Sequence, residues 1–218
     1  METSKIVYPK MQLTNECKLL VQRLRGCDLD EICANPSSML KYYPIRDPDN
    51  ETTVFDEIYC VLNENLMKKA YKFRIFYFLN TFLSSTKVPA YIIAAYIKRL
   101  ARLSLGAKPR SLVAILRLVN NLFMRHPVLM FLRDRVDDKA REFELKSTTC
   151  TLRQWLELDP FVTNQTTDLR MTHAMDSCIW ELMPLRFHEH KKVTEAASFL
   201  GEDSPPDIEC DLEDLLLR

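Results

Sequence analysis

Glycine is scarce in this sequence, three residues in 218, and that scarcity removes several classes of protein. Phosphate-cradling loops of the GxGxxG or P-loop kind need clustered glycines, and neither pattern occurs. Few glycines also leave few of the left-handed positions that tight hairpin turns demand, so a strand-rich fold is disfavoured. The seven cysteines (Cys17, Cys27, Cys33, Cys60, Cys150, Cys178 and Cys210) are odd in number and form no CxxC pair. They read as reduced thiols rather than a disulfide framework. The nearest approach to a metal set is His173, Cys178, His188 and His190, but His188-x-His190 is closer than the usual ligand spacing. No HExxH motif and no nucleophile motif surrounds any candidate. No metal, other cofactor or catalytic residue is expected, and the chain is not expected to be an enzyme.

Acid is missing too, locally. Between Glu64 and Asp134 there is no aspartate or glutamate, while 13 of the 30 basic residues lie there. Outside that segment 17 bases face all 30 acids, so a net charge of zero conceals a segregation of sign. A neutral total argues against nucleic acid as a partner; a one-sign segment reopens it. The bland account is a solvated surface. Ordinary helices interleave their charges, however, because like charges repel.

Long unbroken hydrophobic runs are also lacking. Ile75–Ile97 comes closest, but Asn80, Thr81, Ser84, Ser85, Thr86, Lys87 and Pro89 interrupt it, so neither half reaches the ~20 apolar residues that span a bilayer. Two packed helices explain it better. METSKIVYPK at the start has no apolar run of signal-peptide length.

What is present is helical periodicity. Thr86–Arg125 reads as two helices broken between Gly106 and Pro109, with Pro89 in a first turn, Gly106 as a left-handed stop and Ser111 as the next cap. Ile92, Ile93, Tyr96, Ile97, Leu100 and Leu103 share one face; Tyr91, Ala94, Ala95, Lys98 and Arg102 lie opposite, with Arg99 at the boundary. The wheel therefore puts Lys98 and Arg102 in solvent, where packing does not need them. Helices are also expected over Thr53–Leu62, Leu66–Leu83 (buried stripe Tyr71, Ile75, Phe78, Leu79, Phe82) and Asp168–His188, with shorter turns over Val128–Val136, Leu152–Leu158 and Val193–Leu200. The second helix of the pair should end near His126, since Pro127 follows. Asp137–Thr151 reads as a polar loop.

The expected fold is all-α, a HEAT-like α-solenoid segment of helix pairs each burying a face on the next. Residues 1–52 form a partly disordered arm that includes a short amphipathic stretch, Asn15–Arg25. Residues 53–200 form the helical domain and 201–218 an acidic tail. That tail, with its Leu212, Leu215, Leu216 stripe, is either disordered or an amphipathic helix that docks on the chain's own basic face or on a partner.

FLSSTKVPAYIIAAYIKRLARLSL followed by LRLVNNLFMRHP resembles the C-terminal signature of the CCAAT-binding-factor-like family of nucleolar complex proteins. The resemblance runs over roughly Val54 to Leu200 and continues, more thinly, at Asp159-Pro160-Phe161 and Trp180-Glu181-Leu182. After Phe161 the sequence Val-Thr-Asn-Gln-Thr-Thr replaces a more acidic family loop. The resemblance implies a helical-repeat fold and a non-enzymatic role in nucleolar assembly of the small ribosomal subunit. It also implies a partner of the nucleolar protein fourteen type, other small-subunit processome proteins, and pre-ribosomal RNA held directly or indirectly. A general nucleic-acid or chromatin-associated module, or a nuclear-envelope protein, are the competing readings. The candidate binding face is Lys98, Arg99, Arg102, Lys108, Arg110, Arg117 and Arg125.

Overall fold

A computed structural model describes residues 54–69, 72–86, 88–136, 151–163, 168–201, 209–212 and 214. The expected N-terminal arm, the loop over 137–150 and Tyr71 lie outside the described residues. Among the described residues eight α-helices follow in order: α1 Val54–Val61, α2 Glu64–Met67, α3 Lys72–Phe82, α4 Ala90–Ser104, α5 Pro109–Arg125, α6 over 131–136, α7 Leu152–Leu158 and α8 Lys191–Ala196. Short 3-10 turns link them, and no strand occurs among the described residues. The fold is all-α and solenoid-like.

Helix α5 is the hub. It packs against α3, α4 and α8, and its residues Leu112–Leu116, Leu118, Val119, Leu122 and Phe123 are buried. Pro109 occupies its first position, where the missing N–H costs nothing, and Lys108 rather than Ser111 is the N-cap; Ser111 is buried inside the first turn. Pro127 ends it at Arg125, as expected. Gly106, expected in a left-handed conformation, has an ordinary negative-side backbone: Leu105 closes α4 in the right-handed region and the exposed turn needs no special dihedral.

Helix α4 carries the expected inward face, with Ile92, Ile93, Tyr96, Ile97, Leu100 and Leu103 buried. Tyr96 donates its hydroxyl to the Phe55 carbonyl at 2.7 Å and meets Tyr59 edge-on at 5.6 Å, which ties α1 to α4. Leu100 is fully buried, so Leu100→Ala should lower stability by about 2–5 kcal/mol, checked by thermal melting.

Two expected helices are not continuous. Leu66–Leu83 splits into α2 and α3 at Lys68 and Lys69, where three lysines fall within five positions and repel. Asp168–His188 is a chain of 3-10 turns, Leu169–Thr172, Ala174–Asp176 and Met183–Phe187, with His173 left-handed at φ 54°. Side chains compete here with the helical ladder. Asp168 accepts from Arg170 N at 2.8 Å, and Thr172 donates to the Leu169 carbonyl at 2.7 Å. Pro184 removes a further donor.

Among the described residues no single helix is long and apolar enough to cross a membrane. Helix α5 with 127–136 passes by composition as a pair, but the two are bent by 113° and their apolar residues lie largely in the protein core.

Candidate functional site

The seven basic residues singled out above do not form one face. Lys98, Arg99 and Arg102 are inside the protein, Lys108 and Arg110 are exposed, and Arg117 and Arg125 lie under the C-terminal segment.

The placement of Lys98 and Arg102 on an exposed face is corrected. The 3-10 turns 169–172 and 174–176 pack over α4, so that helix is buried nearly all round, Ala94 and Ala95 included. The Lys98 side chain is 0% exposed and the Arg102 side chain 7%. Lys98 Nζ lies 2.6 Å from Asp159 Oδ2 and 2.7 Å from Glu181 Oε1, and it donates to the Cys178 carbonyl at 2.5 Å. Arg102 Nη2 donates to Asp159 Oδ2 at 2.8 Å, and its Nε stands 3.0 Å from Glu181 Oε1. Two cations thus meet two anions. Asp159 also accepts from Ser177 Oγ at 2.5 Å and Trp180 Nε1 at 2.7 Å. The Trp180 ring lies 5.5 Å from Lys98 Nζ and 5.1 Å from the Arg102 guanidinium, and it stacks on Trp155 at 5.2 Å. Burial would push the Asp159 carboxyl up, but the charge of Lys98 and the hydrogen bonds from Lys98, Ser177 and Trp180 outweigh it and hold it below its usual range. Burial pushes Glu181 up, while Lys98 and Arg102 pull it back. This box clamps α4 to the C-terminal half; its chemistry is structural.

Arg99 is likewise committed. Its Nε donates to the Leu62 carbonyl at 2.6 Å, its Nη1 donates to the Thr163 carbonyl, and its guanidinium sits over the Tyr59 ring at 5.3 Å.

The open cationic feature is a groove of about 970 Å³ between the α2 end and the α4–α5 turn. Asn63, Lys68, Lys72, Lys108 and Leu156 are among the residues that line it, over Arg99 and Arg102, and Glu64 is the one acid among the lining residues. Lys72 is pushed below its ordinary value by burial and then by the charges of Lys108 and Arg110. Arg110 stacks on Phe73 at 4.4 Å, which holds its charge near Lys72. Cations pressed together in this way are relieved by an anion.

The profile of the CBF/Mak21 family matches residues 40–197. The chain belongs to the CBF/Mak21 family. Among curated relatives it is similar to the chicken Nucleolar complex protein 4 homolog, 34% identical over 162 residues, which are 74% of this chain and 29% of that protein. It is similar also to Nucleolar complex protein 4 of Saccharomyces cerevisiae, 32% identical over 148 residues, 67% of this chain and 27% of the yeast protein. The zebrafish homolog is 34% identical over 68% of this chain and 25% of its own length. The chain therefore spans between a quarter and a third of the length of these relatives.

The stretches singled out in the sequence for their resemblance, Lys98-Arg99-Leu100-Ala101-Arg102-Leu103, Asp159-Pro160-Phe161 and Trp180-Glu181-Leu182, converge on this one cluster. Asp159, Glu181, Ser177 and Trp180 were absent from the sequence-based candidates. An acid within two residues of an aromatic in each of the last two stretches was the available clue. Cys178, inside the same cluster, has its thiol pushed up to about 11 by burial. Native protein treated with iodoacetamide near pH 8 should be alkylated at exposed Cys60 and spared at Cys178, read by peptide mass mapping.

Proposed function

We propose that this CBF/Mak21 protein is a non-enzymatic scaffold of small-ribosomal-subunit assembly that acts in the nucleolus. In this reading the groove bordered by Lys68, Lys72, Lys108 and Arg110 receives the phosphate backbone of pre-ribosomal RNA. A protein of the nucleolar protein fourteen type and other small-subunit processome components are its assembly partners. The carrying observation is the groove itself, whose lining holds Lys68, Lys72, Lys108, Arg99 and Arg102 against the one acid Glu64. The relatives' printed name, Nucleolar complex protein 4, supports the compartment. Phosphate contacts of this kind position a protein on RNA without reading its sequence.

The test is affinity purification of the tagged chain from nuclei, with and without nuclease. Small-subunit precursor RNA and processome proteins should co-purify, the proteins in part surviving nuclease. Recovery with chromatin alone would favour a general nucleic-acid module, the second reading, which the same sequence-indifferent groove would serve. Recovery with neither contradicts both.

A further inference from the structure

On the side of α5 that carries Asn120, Asn121, Arg117 and Arg125, the chain binds a piece of itself. Residues 209–212 have no regular secondary structure and lie along α5, and Asp214 stands in a 3-10 turn beside them. The contacts run antiparallel to the helix. Arg125 Nη2 pairs with the Glu209 carboxylate, Asn121 with Cys210, and Arg117 Nη1 with Asp214 Oδ1 at 2.7 Å. Residues 117, 121 and 125 are each four apart and share one helical face. Eight helical residues rise about 12 Å, and five residue steps can span at most about 17 Å, so Glu209 and Asp214 can both reach their arginines.

The recognition is of a peptide. Asn121 takes both backbone groups of one residue: its Oδ1 accepts from Cys210 N at 2.7 Å and its Nδ2 donates to Cys210 O at 2.8 Å. Arg117 Nη1 donates also to the Asp211 carbonyl at 2.9 Å. Asn121 is itself held by Asn80 Oδ1 at 3.0 Å, and Arg125 donates to the Asn80 carbonyl at 2.5 Å, so α3 braces the face. Leu212 is 2% exposed within the core cluster. The phosphodiester backbone of a nucleic acid offers neither a peptide N–H for Asn121 nor a leucine, so that backbone would satisfy only the two arginines.

We propose that this face of α5 is a receptor for an acidic peptide segment of a partner protein, with carboxylates five residues apart and a leucine between them, and that the chain's own residues 209–212 and Asp214 occupy it until displaced. The Glu209 and Asp214 side chains are more than half exposed, so the charged ends of the occupant remain open to exchange. A tethered segment acts at an effective concentration of order millimolar, and a free ligand must overcome that advantage.

The test uses the full chain and a fluorescein-labelled peptide of the sequence of residues 207–216. The Glu209→Lys/Asp214→Lys variant releases the tail by reversing both charged ends. Leu212→Asp is a second release variant, and melting curves establish that each remains folded. The released chain should bind the labelled peptide about tenfold or more tighter than wild type. Adding Arg117→Glu and Arg125→Glu should abolish that binding, and unlabelled peptide, but not single-stranded oligouridylate, should compete. Equal binding by wild type and both released chains, or no binding by any, would overturn the proposal. Displacement of the peptide by oligouridylate as readily as by peptide would overturn it in favour of nucleic acid.

Discussion

Lys98→Ala is expected to destabilise the protein by about 3–5 kcal/mol, the cost of leaving a buried charge without its partner. Glu181 is 0% exposed and faces Lys98 Nζ at 2.7 Å, so removing the amine leaves a buried carboxylate with only the Arg102 cation beside it. Asp159 loses its 2.6 Å neighbour at the same time. Two carboxylates then share one guanidinium. For a chain of this size the melting temperature should fall by about 6–20 °C. A domain holds only about 5–15 kcal/mol in all, so poor solubility would accompany the loss. Lys98→Met with Glu181→Leu keeps the remaining pair, Arg102 and Asp159, balanced at 2.8 Å. That double variant should recover most of the stability, since apolar replacements of a buried pair are often neutral. An unchanged melting temperature in Lys98→Ala would show that the box does not hold α4 to the C-terminal half.

The second large effect concerns binding. Lys72→Glu, Lys108→Glu and Arg110→Glu together should remove the groove's attraction for single-stranded RNA while the fold persists. Lys108 and Arg110 are exposed; Arg110 gives up its stacking on Phe73, so stability should move by no more than about 1 kcal/mol. If each residue meets one phosphate, the plot of log affinity against log salt should become shallower by about 2, at about 0.7 per contact. Titrations at two or more salt concentrations read this directly. Lys98 and Arg102 are unsuitable for such a test, because changing them unfolds the clamp that supports the groove.

The difference between those two sets of lysines and arginines is what the sequence could not show. On a helical wheel Lys98 and Arg102 stand opposite Ile93, Tyr96 and Leu100, and an amphipathic pattern assigns charge to solvent. Their partners, Asp159 and Glu181, lie about 60 and 80 positions further along. A helix whose charges are neutralised from afar carries the same local pattern as one that faces water. The inward face itself was legible, because Ile92, Ile93, Tyr96, Ile97, Leu100 and Leu103 need only the 3.6 period. So were the stop before Pro127 and the short α7 closed by Asp159-Pro160, both set by proline's local chemistry. Met171, Met175, Ile179 and Leu182 have helical spacing without being helical. There Asp168 and Thr172 offer the backbone local partners that a periodicity argument does not weigh. The groove was half legible: Lys108 in its lining and Arg110 beside Lys72 were singled out, whereas Lys68 and Lys72 line it only because α2 and α3 break apart beside the α4–α5 turn.

The most direct measurement is the amount of small-subunit precursor RNA recovered with the tagged chain from nuclear extract, compared between wild type and the Lys72→Glu, Lys108→Glu, Arg110→Glu variant at matched expression and melting temperature. The groove account predicts that wild type retains the precursor and the variant loses most of it. Equal recovery by the two proteins would contradict it.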